Sequence, residues 1–283
     1  MRFARAYVAV VLSLVVVIPA VPQQTASSSV SATTLLAQSL AAQVGSAQIS
    51  DVTLTGTARR IAGSDDESGT VTLKALSSGA TRLDFNFPSG PRSEFRSAGP
   101  NSTGGWSGVD GIVHPIALQN LVNDWGWFPL FSLASASVQN SVLALVGNES
   151  RNGQSVVHLT ISQQFPSLSA NGAALMAHLS QIDLFLDATT LLPASIAYNI
   201  HPDNNALLDI PVELRFTDYR SVSSSGVVAG LQTGSSSGSG SPSSPQIPFH
   251  VQKFINNSLA LDLQFQSAAL NTGLTTAQVG GAL

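Results

Sequence analysis

Apolar and polar residues alternate in many short segments of this 283-residue chain, and this alternation constrains the fold more than any other sequence feature. In the first such segment, Val52 and Leu54 alternate with Thr53 and Thr55. A period of two residues places the apolar side chains on one face of a β-strand and the polar side chains on the other. At least eight segments follow this pattern with turn residues between them, so we predict one large antiparallel sheet. They span residues 52–54, 71–75, 83–87, 157–161, 182–186, 196–200, 210–216 and 259–265.

Helical patterns are few and short by comparison. A four-residue spacing of apolar side chains predicts a first helix that Thr33 or Thr34 caps and that ends at Val44. Pro115 opens a second predicted helix, and residues 169–181 contain a further short one. A large sheet with one wet face must cover its other face, and these helices are the available cover. We therefore predict a mainly β fold of the α+β class, in which a strongly curved sheet wraps around a few helices.

The acidic segment 64–69 contains Asp65, Asp66 and Glu67. It predicts the turn of a hairpin between strands 51–60 and 69–76, because polar residues and glycine are typical of turns. Carboxylate oxygens are also ligands for calcium, and a calcium site is the alternative at this position. We prefer the solvated turn.

The N-terminal segment has the features of a secretory signal peptide. Arg2 and Arg5 make residues 1–5 basic, and residues 6–21 form an uncharged apolar run that ends beside the small residue Ala20. An uncleaved anchor is the alternative, and it would need a run of about 20 apolar residues or more. We predict cleavage near Ala20 and export by the Sec route to the periplasm or the extracellular space.

The composition along the chain predicts its division into segments. Residues 1–20 are the predicted signal peptide, and residues 21–31 are predicted to be a flexible spacer rich in Ser, Gln and Thr. Residues 32–283 are predicted to form a single domain. A Gly/Ser-rich tract at residues 222–246 interrupts it and is predicted to be a disordered insertion at a hairpin tip.

The charge balance and the absence of cysteine exclude several classes of function. The chain carries 12 Lys+Arg, 16 Asp+Glu and no Cys, and Lys74 and Lys253 are its only lysines. A mildly acidic chain with two lysines tracks phosphates poorly, so we predict no nucleic-acid partner. A chain without cysteine forms no disulfide, Cys-ligated zinc site, iron–sulfur cluster or thiol nucleophile, and carries no lipid-modified N-terminal cysteine. We predict no metal site and no cofactor.

The motifs of known catalytic sites are missing. Residues 234–238 match G-x-S-x-G only inside the Gly/Ser-rich tract, without the strand and helix that a nucleophile elbow requires. The spacing of Asp110 and His114 allows either a structural hydrogen bond or a catalytic dyad. We prefer the structural hydrogen bond, because no nucleophile is paired with them. His201 and Asp203 lie in a segment rich in Pro and Asn, which is typical of a loop. We predict that the protein is not an enzyme.

The densest aromatic cluster of the chain lies at residues 125–131. It overlaps residues 128–146, an apolar and serine-rich stretch that predicts a helix or an irregular lid. Two interpretations stay open, namely ordinary core and the wall of a ligand cavity at the mouth of a half-closed barrel. The cavity interpretation predicts the following ligand-binding residues: Trp106, Trp125, Trp127, Phe128, Phe131, Phe85 and Tyr198.

Residues 184–193 combine a strand, a D-x-x-T-x-L-P turn and the start of another strand. Asp187 and Thr190 are placed to bond backbone amides of the turn, and Pro193 fixes the start of the next strand. Further short motifs follow at residues 216–220, 247–249 and 270–274. In this order the motifs resemble the periplasmic lipoprotein-carrier superfamily, which comprises LolA/LolB-like carriers and receptors and RseB-type periplasmic regulators.

The resemblance implies an unclosed β-barrel of antiparallel strands with helices that close an apolar cavity. It further implies an exported, non-catalytic and monomeric protein whose partner is a lipid, an acyl chain, another apolar ligand or a lipidated protein. The alternative that it implies is an envelope sensor that binds a protein partner through the same fold. Arg59 and Arg60, at the end of the first predicted strand, are by position the candidates for contact with cargo.

Overall fold

One antiparallel sheet of fourteen strands accounts for most of the described chain. The computed structural model describes residues 30–98, 102–123, 126–138, 140–223, 228–229 and 244–280. The predicted signal peptide, residues 1–20, lies outside the described residues, as does most of the predicted spacer. The strands are β1 (Asp51–Ala62), β2 (Asp65–Leu76), β3 (Thr81–Phe87), β4 (Gly90–Arg96), β5 (Gly104–Ser107), β6 (Val113–Pro115), β7 (Ser141–Arg151), β8 (Gln154–Gln163), β9 (Ile182–Asp187), β10 (Pro193–Ile200), β11 (Ile210–Ser221), β12 (Val228–Ala229), β13 (Gln246–Ile255) and β14 (Ser258–Leu270).

The sheet joins two series of hairpins through one pairing between distant parts of the chain. Its order is β6-β5-β4-β3-β2-β1-β14-β13-β11-β10-β9-β8-β7, and β12 pairs with β14 beside this path. β1 pairs with β14 so that Val52 lies opposite Leu270. β6 and β7 are the two edges, and the described strands do not close into a barrel. The predicted large, unclosed antiparallel sheet is therefore confirmed.

The sheet curves strongly, because one side chain reaches two strands that are far apart in the order. The indole of Trp127 contacts Glu94 of β4 and Lys253 of β13. Four strands, β3, β2, β1 and β14, lie between them. Neighbouring strands are about 4.8 Å apart, so a flat sheet would separate β4 from β13 by about 24 Å. The inner side of this curve is called the concave face below.

Five helices accompany the sheet in the described chain: α1 (Ala32–Val44), α2 (Leu118–Leu121), α3 (Pro129–Val138), α4 (Ala170–Leu179) and α5 (Thr276–Val279). The cap of α1 is Ser31 and not Thr33 or Thr34, because the Ser31 hydroxyl accepts the Thr34 amide at 3.1 Å. Pro115 opens no helix. It ends β6, where its backbone pairs with β5, and α2 begins at Leu118.

The core lies on the concave face and includes both α1 and α3. Leu36 of α1 and Leu133 of α3 are fully buried in the same apolar cluster as the inward side chains of the sheet. Full burial of a side chain of this size contributes about 1.5–3 kcal/mol. The alternation predicted a shared buried face for six sheet residues, and the structure confirms it. These residues are Leu73, Phe85, Leu184, Tyr198, Leu214 and Leu263.

Two predicted boundaries are wrong. The turn between β1 and β2 consists of Gly63 and Ser64, and residues 65–69 belong to β2. Cross-strand pairing explains the difference, since Arg60 of β1 lies opposite Glu67 and Arg59 forms a diagonal ion pair with Asp66, and both contacts extend the ladder. Residues 128–146 are also not one helix or lid, because α3 ends at Val138 and the rest begins β7.

The predicted insertion at residues 222–246 is shorter than its composition suggested. Val222 is fully buried in the core, and its amide donates to the carbonyl oxygen of Pro245 at 2.9 Å. Val228–Ala229 form β12 on β14, and Gln246 already belongs to β13. Residues 224–227 and 230–243 lie outside the described residues.

The turn after β9 has the contacts that its motif predicts. The Asp187 carboxylate accepts the amides of Thr189 and Thr190 at 3.1 and 2.6 Å and the Thr190 hydroxyl at 2.8 Å. Burial opposes its ionisation, but these bonds and one from Gln154 outweigh that effect and lower the pKa of Asp187. The turn also requires a positive φ of 58° at Leu191.

Of the helices in the described residues, none combines the length and the apolar character that crossing a membrane requires.

Candidate ligand-binding face

The structure buries five of the predicted ligand-binding residues in one cluster on the concave face. Phe85 of β3 and Tyr198 of β10 approach from the sheet. Trp127, Phe128 and Phe131 approach from residues 126–138, which comprise α3 and the three residues before it and are called the α3 segment below. Each of the five is at most 7% exposed. In this conformation they form part of the packed core, and a ligand can reach them only if the α3 segment moves.

Trp106 does not belong to this cluster. Trp106 of β5 is 47% exposed and stacks on His114 of β6, with ring centroids 4.2 Å apart. The His114 Nε2 atom is 4.0 Å from the Asp110 carboxylate, which is too long for a hydrogen bond, so the predicted hydrogen-bonded pair does not form. Trp125 lies outside the described residues.

The α3 segment carries no charged side chain from Gly126 to Ser137, and its residues from Gly126 to Leu133 are all buried. Pro129 occupies its first position, where the missing amide hydrogen costs no helical bond. Phe128 and Phe131 pack edge to face at 5.0 Å. The segment 126–138 thus covers the apolar sheet residues of the concave face from within.

Polar side chains hold the start of this segment. The Trp127 Nε1–H donates to a Glu94 carboxylate oxygen at 2.9 Å, and the Lys253 ammonium lies 5.0 Å from the centroid of the indole ring. A cation within about 6 Å of an indole face is attracted by the ring. One carboxylate on β4 and one ammonium on β13 therefore fix the position of Trp127.

Residues directly opposite in neighbouring strands share a face, which places several charges on the concave side. Arg60 lies opposite Leu261, and Leu261 lies opposite Lys253, which in turn faces Leu214 of the core. Arg92 lies opposite the buried Phe85. In β1–β4, β13 and β14, the charged residues that this register places on the concave side are Arg60, Asp65, Glu67, Arg92, Glu94, Arg96 and Lys253.

This charged group is basic although the chain is acidic. Four basic residues stand against three acidic ones, an excess of one positive charge, whereas the whole chain has a formal charge of −4. Arg60 and Arg92 share Glu67, at 3.3 and 4.0 Å. Hydrogen bonds from the Ser89 hydroxyl and amide, together with the positive charges of the two guanidinium groups, outweigh desolvation and lower the pKa of Glu67. Glu67 is therefore a fixed anion that orients both arginines.

Arg59 and Arg60, the two candidates for cargo contact, lie on opposite faces. Arg59 forms a bidentate pair with Asp66 at 2.8 and 2.6 Å on the outer face, where its partner on β14 is Asp262. Arg60 points to the concave side with 25% of its side chain exposed. The alternation of β1 was enough to predict this difference. Arg60 is an even number of residues from the inward Val52 and therefore points inward, whereas Arg59 points outward.

Glu94, Arg92 and Lys253 were not predicted from the sequence. Lys253 occupies the next inward position of β13 after a series of apolar residues. A charged residue at such a position could have indicated a functional role from the sequence alone. Nothing in the sequence places Glu94 near Trp127, because that contact depends on the curvature of the sheet.

Comparison with known proteins supports the fold. No protein-family model and no curated protein sequence matches the chain. A domain from Vibrio parahaemolyticus that is assigned as an outer membrane lipoprotein-sorting protein has a similar structure. It has 13% identity and a TM-score of 0.51, over 87% of this chain and 94% of the other. A LolA superfamily protein from Nitrosomonas europaea has 8% identity and a TM-score of 0.52, over 89% and 98%.

The chain has the LolA-type fold. A DUF1329 family protein from Desulfovibrio piger shares it at 11% identity and a TM-score of 0.53, over 88% of this chain and 95% of that protein. The fold that the sequence motifs implied is thus confirmed by structures of nearly the same extent. At these identities the likeness concerns the fold, and individual functional residues are not transferred.

Proposed function

We propose that this protein binds an amphipathic ligand on its concave face, with an acyl chain among the apolar side chains and an anionic head near Arg60 and Lys253. The observation that carries the proposal is the excess of basic side chains on an otherwise apolar inner face. Lipids and lipidated proteins have this combination of groups. The lipoprotein-sorting assignment of the similar Vibrio domain supports the same class of ligand.

Energetically, the chain of such a ligand would supply most of the affinity and its head the selectivity. Each buried CH₂ contributes about 0.8 kcal/mol, so a sixteen-carbon chain offers roughly 12 kcal/mol before the costs of binding. A hydrogen bond to a charged group adds about 1.5–3 kcal/mol. The α3 segment fills the concave side in the described structure. Binding must therefore displace it, with a change in the surroundings of Trp127.

Two probes with the same chain and different heads test the proposal. Delipidated protein is titrated with palmitate and with hexadecanol, and binding is followed by native mass spectrometry and tryptophan fluorescence. We expect both to bind, with palmitate bound more tightly. Arg60→Gln and Lys253→Gln should each weaken palmitate by about tenfold, as the loss of one charged hydrogen bond predicts, and leave hexadecanol nearly unchanged.

Arg59→Gln is the matched control, because it removes the same charge one residue away on the outer face. It should change neither affinity. Failure of the delipidated wild type to bind either probe would refute the proposal, and an equal effect of Arg59→Gln and Arg60→Gln would refute the role of the inward charges.

A second candidate function is recognition of an envelope protein, and the β7 edge favours it. In the described chain β7 pairs on one side only, with β8, and it exposes Val142, Leu145 and Val146. An open strand with apolar side chains can accept an extended segment of another protein. A cross-linker placed on β7 should capture such a partner in the cell envelope. Val146→Lys should abolish this cross-link and leave palmitate binding unchanged.

Either function requires export, which we propose on the basis of residues 1–21. N-terminal sequencing of the protein recovered from the envelope fraction should begin near residue 21. Recovery of Met1 would contradict cleavage.

A further inference from the structure

Two histidines and one aspartate meet where β10, β11 and α4 come together. His178 lies in the last turn of α4, His201 follows β10, and Asp209 precedes β11. One ligand atom from each residue lies within 4.8 Å of those of the other two. The sequence had suggested Asp203 as the acidic neighbour of His201, whereas the structure brings Asp209 to it. This group, the His–Asp cluster, is separate from the concave-face charges.

The distances within the His–Asp cluster suit a metal ion. The Asp209 Oδ1 atom is 3.1 Å from His178 Nε2 and 3.5 Å from His201 Nδ1. Zinc binds His nitrogen and Asp oxygen at about 2.0–2.2 Å in a tetrahedron, which puts neighbouring ligand atoms about 3.3–3.5 Å apart. The observed 3.5 Å equals the edge length of such a tetrahedron, and the observed 3.1 Å is slightly shorter than it.

The state of His201 is an independent observation that points to a ligand. Its side chain has no exposed surface, and neither ring nitrogen has a hydrogen-bond partner within the described structure. A buried polar atom without a partner costs about 1–3 kcal/mol, so such atoms usually indicate a missing ligand or water. Its Nδ1 atom is the one that faces Asp209, at the position where a metal ion would be bound.

The backbone around His201 is held in place without help from the ring. The Asn120 side chain of α2 accepts the His201 amide at 2.7 Å and donates to the His201 carbonyl oxygen at 2.8 Å. His201 is thereby preorganised, while His178 and Asp209 are 44% and 41% exposed and give an ion access from solvent. We propose that His178, His201 and Asp209 bind one zinc ion, with solvent in the fourth position.

A bound ion would join three elements that are separate in the sequence, namely α4, the end of β10 and the start of β11. It would tie the end of α4 to the loop at residues 201–209 and so to two neighbouring strands. A ligand that binds only the folded state stabilises it in proportion to its occupancy, so zinc should raise the unfolding temperature.

The test uses the mature chain without a histidine tag, stripped with a chelator and titrated with ZnCl₂ in competition with a chromophoric chelator. We expect about one zinc per chain and a rise in unfolding temperature. His178→Ala and Asp209→Ala, both at exposed positions, should each weaken binding by at least about tenfold, since even loss of an outer-shell partner typically costs 10–100-fold. His201→Gln should abolish binding if it folds, and the two exposed variants decide the matter if it does not.

His250→Gln is the matched control. His250 also pairs with an aspartate, Asp262 at 2.7 Å, but belongs to no cluster of three ligands in the part of the chain that was described. Its variant should bind zinc like the wild type. Zinc binding that is absent from the wild type, or that His178→Ala and His250→Gln reduce equally, would overturn the proposal.

Discussion

The hydroxyl of Tyr219 in β11 donates a hydrogen bond to the carbonyl oxygen of Pro193, the first residue of β10, at 2.8 Å. The two residues belong to separate sequence motifs, residues 216–220 and 184–193, which therefore meet in space. Burial of the phenol disfavours its ionised form and raises the pKa of Tyr219 well above its usual value. The bond thus joins the turn after β9 to the neighbouring strand with a neutral donor.

Tyr219→Phe should destabilise the protein by about 1–2 kcal/mol, because it leaves the Pro193 carbonyl without its partner and keeps the ring. The raised pKa means that the wild type loses stability as the pH rises past about 10, the value of a free tyrosine, and through the pKa of the folded state. The variant should lack that part of the alkaline loss. Urea unfolding between about pH 7 and pH 11 measures both effects, and identical alkaline profiles would contradict the assignment.

Trp127 offers a test of whether the α3 segment is permanent core. Trp127→Ala removes the ring and should cost about 3–5 kcal/mol if the segment never leaves the concave face. Trp127→Phe removes the bond to Glu94 and should cost about 1–3 kcal/mol. A smaller loss for Trp127→Ala, together with altered binding of an apolar fluorescent probe, would show that the segment opens. A full loss together with a wild type that binds no probe would leave the ligand-binding proposal without support.

Asp51 predicts a dependence of stability on acid pH. Its carboxylate accepts the Thr272 amide and hydroxyl at 2.8 and 2.9 Å, the Gly273 amide at 3.1 Å and the Ser50 hydroxyl at 2.9 Å. Burial opposes ionisation, but these bonds outweigh it and lower the pKa of Asp51. The resulting stabilisation is complete above the unfolded pKa of about 3.9 and is lost as the pH falls through the folded pKa.

Asp51→Asn should therefore be less stable than the wild type by about 2 kcal/mol near neutral pH, since its amide nitrogen faces donors. The difference between the two proteins should shrink as the pH falls below the unfolded pKa of about 3.9 and through the lower pKa of the folded state, because the wild-type carboxylate then becomes protonated. Asp65→Asn, an exposed aspartate at the other end of the β1–β2 hairpin, is the control and should behave like the wild type. A difference that does not depend on pH would contradict the mechanism.

The turn after β9 contains a matched pair of threonines. The Thr190 hydroxyl donates to Asp187 and accepts the Leu192 amide at 3.3 Å, whereas Thr189 contributes its backbone amide to the same carboxylate. Thr190→Ala should cost about 1 kcal/mol, the usual contribution of such hydrogen bonds, and Thr189→Ala should be nearly neutral. Thermal unfolding of the two variants compares them directly, and equal losses would show that the hydroxyl of Thr190 is not what stabilises the turn.

The strands that could be predicted are those whose inward positions are apolar without interruption. β4 escaped prediction because Arg92, Glu94 and Arg96 occupy its inward positions while its buried Phe95 points outward. β5 has glycine at two of its four positions, and a Cβ at Gly105 would come within 2.8 Å of the Phe95 ring. In β4 the charged residues point inward and the apolar one outward, and β5 shows no alternation at all. The backbones of both strands nevertheless pair normally with their neighbours.

β7 escaped prediction for a different reason. It is an edge strand with apolar residues on both faces, including Leu143 and the exposed Val142 and Val146. A bulge between Leu145 and Gly147 shifts its register, which reverses the alternation partway along the strand. The candidate site was predictable only in part. Its aromatic residues could be found from their density in the sequence. Their polar partners Glu94 and Lys253 could not, because they lie on distant strands that only the curvature of the sheet brings close to Trp127.

The Gly/Ser-rich tract allows a prediction with two deletions. Replacing residues 230–243 by a short Gly/Ser linker should change the stability by less than about 1 kcal/mol, because each doubling of loop length costs only about 0.6 kcal/mol. Deleting residues 224–245 should destabilise the protein clearly, since it removes the pairing of β12 with β14 and the bond from Val222 to Pro245. Urea unfolding of both variants measures the difference. If the shorter deletion is as harmful as the longer one, residues 230–243 must themselves pack on the domain.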